Sequence, residues 1–313
     1  MRSFQPRDLP EIVSAWNEAA PRDPISEEIF RNRFLLDSAF DAENLLVAEE
    51  RGQILGAVYG VVPEFAPDSD PDSDRLGWIL FFFVAPADRM QGLGEHLLQT
   101  MLDILQRKGA DTVHFSDYAP GYFLPGLDAD AYPAALNLLT KLGFTIETSP
   151  AAMSLNLAGY ELPIAVDRRI HQMRHDEWFF GTPTNSDILP LLALAKNEFA
   201  LEWARLIRDN LVHNMPLERI SIARSPSGDL AGWAMHGSYD GVLGRFGPFG
   251  VANAYRGFGL GSVLLHLLLQ KMSLLNEKQA WFLWADEGST AAALYEKAGF
   301  SKTRTFHILQ RQF

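Results

Sequence analysis

Arg256-Gly257-Phe258-Gly259-Leu260-Gly261 follows a strand-like run at 245–251 and opens onto Val263, Leu264, Leu265, Leu267, Leu268 and Leu269. Upstream, Arg89-Met90-Gln91-Gly92-Leu93-Gly94 follows the apolar run from Trp78 to Val84. It opens onto Leu97, Leu98, Met101, Leu102 and Leu105. An apolar strand, a glycine-rich turn and an amphipathic helix therefore occur twice, and a repeat of this kind decides how the rest of the chain is read. Glycines at a helix N-terminus leave several backbone N–H groups and the positive end of the helix dipole open, and they let an anion come close without meeting a Cβ. The G-x-G-x-G spacing of 257–261 is not the dinucleotide-fold spacing, and no Gly-Lys-Ser/Thr follows.

Other landmarks recur in the same order. Lys141-Leu142-Gly143-Phe144 is matched by Lys297-Ala298-Gly299-Phe300, and Asp8-Leu9-Pro10-Glu11 with Asn17-Glu18 is matched loosely by Asp187-Ile188-Leu189-Pro190 with Asn197-Glu198. The duplicated unit is of ordinary domain size. The expected division is a first domain over 1–159 and a second over 160–313. In each, a short leading strand and helix precede paired strands (45–48 with 54–62; 220–223 with 230–235). After the glycine turn come a helix, another strand (112–115; 280–284), a helix closed by Gly143 or Gly299 in the C-cap position, and final strands. Asp8 with Glu11 reads as a capping box. Residues 67–74, rich in Pro, Asp and Ser, read as a solvated loop. The stretch 160–185 reads either as a linker or as closing strands. The fold class is α/β (α+β), each domain a mixed, mostly antiparallel sheet with helices on both faces.

Composition narrows the function. The chain of 313 residues has 47% hydrophobic residues and no cysteine, so a core is available while disulfides, thiolate metal sites and cysteine nucleophiles are excluded. His171 and His175 are one helical turn apart, but no Glu follows His171 in the metalloprotease pattern, and no metal is expected. A net charge of −12 disfavours a nucleic-acid partner. No apolar run is long enough to span a bilayer and no leader is evident, so the expectation is a cytoplasmic protein without a membrane partner.

The two Arg-x-x-Gly-x-Gly turns, with Leu294-Tyr295-Glu296-Lys297-Ala298-Gly299-Phe300 downstream of the second, resemble the GNAT superfamily of acyl-CoA-dependent N-acyltransferases. The resemblance covers most of the chain in a tandem form, of which the mycothiol synthase type is one candidate branch. It implies acetyl-CoA or another acyl-CoA as cofactor. Its diphosphate would be held by Arg256, Gly257, Phe258, Gly259, Leu260 and Gly261, and by Arg89, Gln91, Gly92, Leu93 and Gly94, with the pantetheine along Val251 and Val84. It also implies direct attack of an amine on the thioester in a ternary complex, with Tyr295 as the acid for the leaving thiolate. A phenol, with an unperturbed pKa of about 10 against about 8.5 for a thiol, is a plausible donor. Asp286 and Glu287, just past a strand end, are the candidate bases, and Glu198 and Glu202 could line the acceptor pocket. The first copy departs from this pattern. Leu139 stands where the second has Tyr295, Tyr122 and Tyr132 are the possible substitutes, and chemistry is expected in the second copy. The expected partner is a small-molecule amine and the expected assembly a monomer or homodimer. The alternative is a non-catalytic acyl-CoA binder or sensor.

Overall fold

A computed structural model describes residues 1–63, 75–118 and 123–313. The loop expected at 67–74 and the candidate Tyr122 lie outside the described residues. The first stretch of chain runs β1 (Arg2–Ser3), α1 (Leu9–Ala19), α2 (Glu27–Phe30), β2 (Leu45–Glu50), β3 (Gln53–Val61), β4 (Leu76–Val84), α3 (Leu93–Arg107), β5 (Thr112–Phe115), α4 (Pro133–Lys141), β6 (Thr145–Thr148) and β7 (Ala151–Asn156). The second runs α5 (Ile164–His175), β8 (Phe179–Gly181), α6 (Ile188–Glu198), α7 (Leu201–Val212), β9 (Ile220–Arg224), β10 (Leu230–His236), β11 (Phe246–Val251), α8 (Leu260–Leu274), β12 (Gln279–Phe282), α9 (Thr290–Lys297), β13 (Ser301–Thr305) and β14 (Ile308–Gln312). Among the described residues no helix is long and apolar enough to cross a membrane.

The chain folds as two compact units, but they are not the linear halves 1–159 and 160–313. One unit is Met1–Pro150 with Arg304–Phe313, and the other is Ala151–Thr303. In the first unit the strand order is β1-β2-β3-β4-β5-β14-β6, so the last strand of the chain sits between β5 and β6. In the second unit β8 to β11 form one sheet in the order β11-β10-β9-β8, and β7, the strand that ends the first stretch, sits in the middle of β12-β7-β13. The two copies have exchanged their final strands. Sequence periodicity could not show this, because pairing partners are chosen by tertiary packing and each strand reads equally well in either sheet.

The stretch 160–185, read as linker or closing strands, contains instead α5 and β8, and β8 pairs antiparallel with β9 as β1 does with β2. The capping box also differs from expectation. The Asp8 carboxylate accepts from the Gln5 amide (2.8 Å) and from Arg2, while Glu11 reaches across to accept from the Ile54 amide (2.8 Å).

In the first unit, α1 buries Ile12, Val13, Ala15, Trp16 and Ala19 on one sheet face among Phe30, Phe34, Tyr59, Phe81 and Phe83. On the other face α3 buries Leu97, Leu98, Met101, Leu102 and Leu105, a helical stripe as its sequence requires. Each such side chain contributes about 1.5–3 kcal/mol. The Tyr59 hydroxyl is buried in this core without a hydrogen-bond partner among the described residues. An unpaired buried hydroxyl costs about 1–3 kcal/mol, so Tyr59→Phe is expected to raise unfolding stability by about 1 kcal/mol. A urea midpoint that falls in the variant would show that the hydroxyl is satisfied.

The duplication appears atom by atom. A Cβ on Gly56 of β3 would meet the Phe83 carbonyl oxygen at 2.6 Å and the Leu97 side chain at 3.2 Å. A Cβ on Gly232 of β10 would meet the Gly250 carbonyl oxygen at 2.7 Å and the Leu264 side chain at 3.0 Å. Both glycines allow a glycine-turn helix to lie directly on the sheet.

Candidate active site

In the second unit the strand before the glycine turn stands apart from its neighbour. β11 pairs with β10 on one side, and on the other its only backbone bridge toward β12 among the described residues is the isolated parallel one of Arg245, just before it, with Trp281. From Phe246 to Val251 β11 is an edge strand, with no ladder partner along its other side among the described residues. Pro248 lies in this edge strand, the place in a sheet where a residue without an N–H is tolerated. In the first unit the parallel pairing of β4 with β5 likewise ends at Ile79 with Phe115, while β4 runs on to Val84.

The turn that follows is shaped for an anion. Gly257 and Gly259 have φ of +85° and +75°, and Gly259 caps α8 in the left-handed conformation. The first intrahelical bond runs from the Val263 amide to the Gly259 carbonyl (3.3 Å), so the amides of Leu260, Gly261 and Ser262 precede the helical ladder, and no side chain caps them. A Cβ on Gly257 would meet nothing within 4 Å. Arg256 Nε donates to the Val251 carbonyl (3.2 Å), and its guanidinium lies over the Phe199 ring (5.9 Å), which fixes it beside the turn.

The first unit repeats this frame with different chemistry. Gly92 caps α3 at φ +83°, and Arg89 Nε donates to the Val84 carbonyl (3.1 Å). Arg89 Nη2, however, is spent on the Ala19 carbonyl (2.8 Å). Met90, in the position of Gly257, takes φ +63° and stands almost fully exposed, where glycine carries no such strain. A hollow of about 530 Å³ beside this turn is lined by Gln91, Gly92, Leu93 and His96 together with the carboxylates Glu49, Glu50 and Asp88. By register and offset the second unit has Arg224, Ser225 and Tyr255 at those three acidic positions, and Ser262 in place of Glu95.

Tyr295 lies on α9 among Phe246 and Phe249 of β11, Phe282 of β12 (ring centroids 4.6 Å apart) and Phe300. It thus packs against both strands that flank the open edge. Its neighbour Leu294 packs 3.4 Å from a Cβ on Gly261. Burial pushes the Tyr295 phenol well above its ordinary value, and its hydroxyl has no hydrogen-bond partner among the described residues. In the first unit Leu138 makes the corresponding contact with Gly94 (3.2 Å), which places the buried Leu139 opposite Tyr295.

The other candidates are placed as follows. Asp286 and Glu287 are exposed on the β12–α9 connection. Asp286 accepts from Trp284 Nε1 (3.0 Å), Glu287 pairs with Lys302, and no hydrogen bond or ion pair joins either to Tyr295. Glu198 accepts from the Asn253 amide (2.6 Å) and steadies the approach to the turn, while Glu202 is exposed on α7. Tyr132 is committed elsewhere. Its hydroxyl donates to Asp23 Oδ2 (2.7 Å), and Asp23 is held bidentately by Arg304 (2.6 and 2.9 Å), which also binds Asp128 (2.7 Å). Burial, then the Asp23 carboxylate, hold the Tyr132 proton in place. The sequence reading missed this network because Arg304 follows Asp23 by most of the chain and no local spacing links them.

Beside the second turn two rings replace one. A Cβ on Gly250 would fall 2.6 Å from Phe199 and 2.7 Å from Trp233, which fill the volume that Phe83 takes from the strand in the first unit. Phe199 stacks on Trp203 (5.4 Å, 17°) at the break between α6 and α7. The spacing of Phe199, Trp203 and Trp233 around Gly250 was the available signal for this aromatic wall.

The sequence profile of the Acetyltransferase (GNAT) family matches residues 9–125 and again residues 185–300. The chain belongs to this family, in a tandem form that spans two GNAT-type regions. Solved structures share the fold. A GCN5-related glucosamine N-acetyltransferase region of a fungal multi-domain GH3 beta-N-acetylglucosaminidase is 17% identical over 98% of this chain (TM-score 0.80), which spans 37% of the length of that protein. A GCN5-related N-acetyltransferase from Sphaerobacter thermophilus is 18% identical over 99% of this chain and 94% of its own (TM-score 0.70). A tandem GNAT protein from the clavulanic acid biosynthesis pathway is 16% identical over 97% of this chain and 95% of its own (TM-score 0.63). The sequence has no significant match among curated proteins. Membership of this family supports acyltransferase activity in general terms.

Proposed function

We propose that this protein is an N-acyltransferase, most simply an acetyltransferase, that moves an acyl group from acyl-CoA to the amine of a small molecule, and that the second unit carries the reaction. The observation that carries this reading is the coincidence, in one unit, of an uncapped glycine turn, an open strand edge and a tyrosine packed on both flanking strands. Acyl-CoA would supply an acyl group activated as a thioester. The amides of Leu260, Gly261 and Ser262 and the Arg256 guanidinium would hold its diphosphate. The edge of β11 up to Val251 would pair with its pantetheine arm as an added strand.

Attack by the neutral amine forms a C–N bond and breaks the C–S bond, so one proton leaves nitrogen and one must reach sulfur. Tyr295, kept protonated by its apolar surroundings, is the donor toward sulfur. The exposed carboxylates of Asp286 and Glu287 are the acceptors available near the end of β12, directly or through water. The Phe199–Trp203 stack at the α6–α7 break would form the wall against which the acceptor is placed.

Tyr295→Phe tests the reading, since it removes only the hydroxyl. With a panel of amines and thiol release as the readout, kcat is expected to fall about 100-fold with little change in the KM for acetyl-CoA. An unchanged kcat would remove Tyr295 from the chemistry. Tight CoA binding by the unmodified chain with no turnover on any amine would point to a binder rather than an enzyme.

A further inference from the structure

The helix α5, in the stretch that gave no clear sequence signal, rests on α8. Ile170 and Met173 are buried with Leu260, Val263 and Leu264. This packing brings Arg169 over the second glycine turn. Its Nη2 donates to the Phe258 carbonyl (2.6 Å), and its Nε lies 3.7 Å from the place a Cβ on Gly259 would take. The remaining N–H groups of this guanidinium have no acceptor among the described residues, and the side chain is exposed. At the first turn a Cβ on Gly92 would meet nothing within 4 Å, so among the described residues no arginine stands over it as Arg169 stands over Gly259.

We propose that Arg169 is a cofactor-binding residue, which reads the diphosphate of acyl-CoA together with Arg256 and makes the second unit the one that takes the cofactor. This rests on the acyl-CoA reading above. The diphosphate is the group assigned, because Arg169 stands over the glycine whose turn opens the helix amides that would hold it. A planar guanidinium anchored by one N–H on a carbonyl presents its other donors in a fixed fork, which suits two phosphoryl oxygens. Charge sorts the two turns in the same sense. The second has Arg169, Arg256 and Arg224, the last paired with Asp187, whereas the first has Arg89 with Glu50, Asp88 and Glu49, the last paired with Arg2.

Calorimetry on the full chain with acetyl-CoA and 3′-dephospho-CoA tests this. Arg169→Ala is expected to weaken both ligands by the same factor, roughly tenfold or more, the scale of one charge-assisted hydrogen bond. Arg169→Lys, which keeps the charge without the fork, is expected to keep part of the affinity and Arg169→Gln to lose it. If Lys and Gln behave alike, Arg169 only shapes the turn and the proposal is wrong. It is equally overturned if Arg169→Ala binds acetyl-CoA as tightly as the unmodified chain, or if its penalty vanishes with 3′-dephospho-CoA. A normal chain that binds no acetyl-CoA at all would overturn the cofactor reading itself, and this inference with it.

Discussion

A chain that stops at Thr303 is expected to lose the folded first unit while keeping the second. The ten residues removed carry β14, which lies inside the first sheet between β5 and β6. They also carry the fully buried Phe306 and Leu309 and the nearly buried Ile308, each contributing about 1.5–3 kcal/mol. Loss of Arg304 leaves Asp23 and Asp128 as buried carboxylates without their main counter-charge, a defect of about 3–5 kcal/mol. These terms together rival the whole stability of a typical domain, about 5–15 kcal/mol. The second unit keeps β7, β12 and the first three residues of β13, together with its own core of Phe246, Leu265, Leu268 and Phe282. Hydrogen exchange read by mass spectrometry is the measurement. Residues 1–150 should exchange rapidly and 151–303 should stay protected. Persistent protection of β3 and β4 in the truncated chain would mean that β14 is dispensable.

Gly259→Glu is expected to lower acetyl-CoA affinity at least 100-fold, about 2.7 kcal/mol. Three effects act together. The residue sits at φ +75°, where a side chain is strained by about 1–2 kcal/mol. The new carboxylate would lie beside Arg169 and neutralise it. It would also occupy, with like charge, the space in front of the amides of Leu260 and Gly261. Calorimetry with the first turn disabled by the matching change at Gly92 isolates the effect. Unchanged affinity would refute the assignment of the second turn to the diphosphate.

Much of this architecture could be read from the residues alone, because its strongest signals are local. The two glycine turns, the C-cap glycines at 143 and 299 (φ +88° and +96°) and the apolar strands 112–115 and 220–224 announce themselves by spacing and backbone demands. The correspondence of Leu139 with Tyr295 was equally legible, since it needs only a count back from a glycine. Other features depend on distant partners. Nothing in Ala151 to Asn156 says that this strand pairs with 279–282 rather than with its own hairpin neighbour. Arg169 lies in a polar helix whose apolar face is only Val166, Ile170 and Met173, too narrow a stripe to reveal what it packs against or what its arginine overlooks. The acidic rim of the first turn was visible as single carboxylates, but it becomes a rim only once β2 is laid beside α3.

The crossed strands β7 and β14 also constrain how this chain can be made and how it can change. The sheet of the first unit is incomplete until β14 has been made, so the earlier copy waits on the later one to finish its fold. Deletion of either half, or its excision as a separate gene, removes a strand from the copy that remains. The first unit, with Met90 where the second has glycine and carboxylates beside its turn, therefore still supplies β7 to the second sheet, and loss of one copy costs the other a strand.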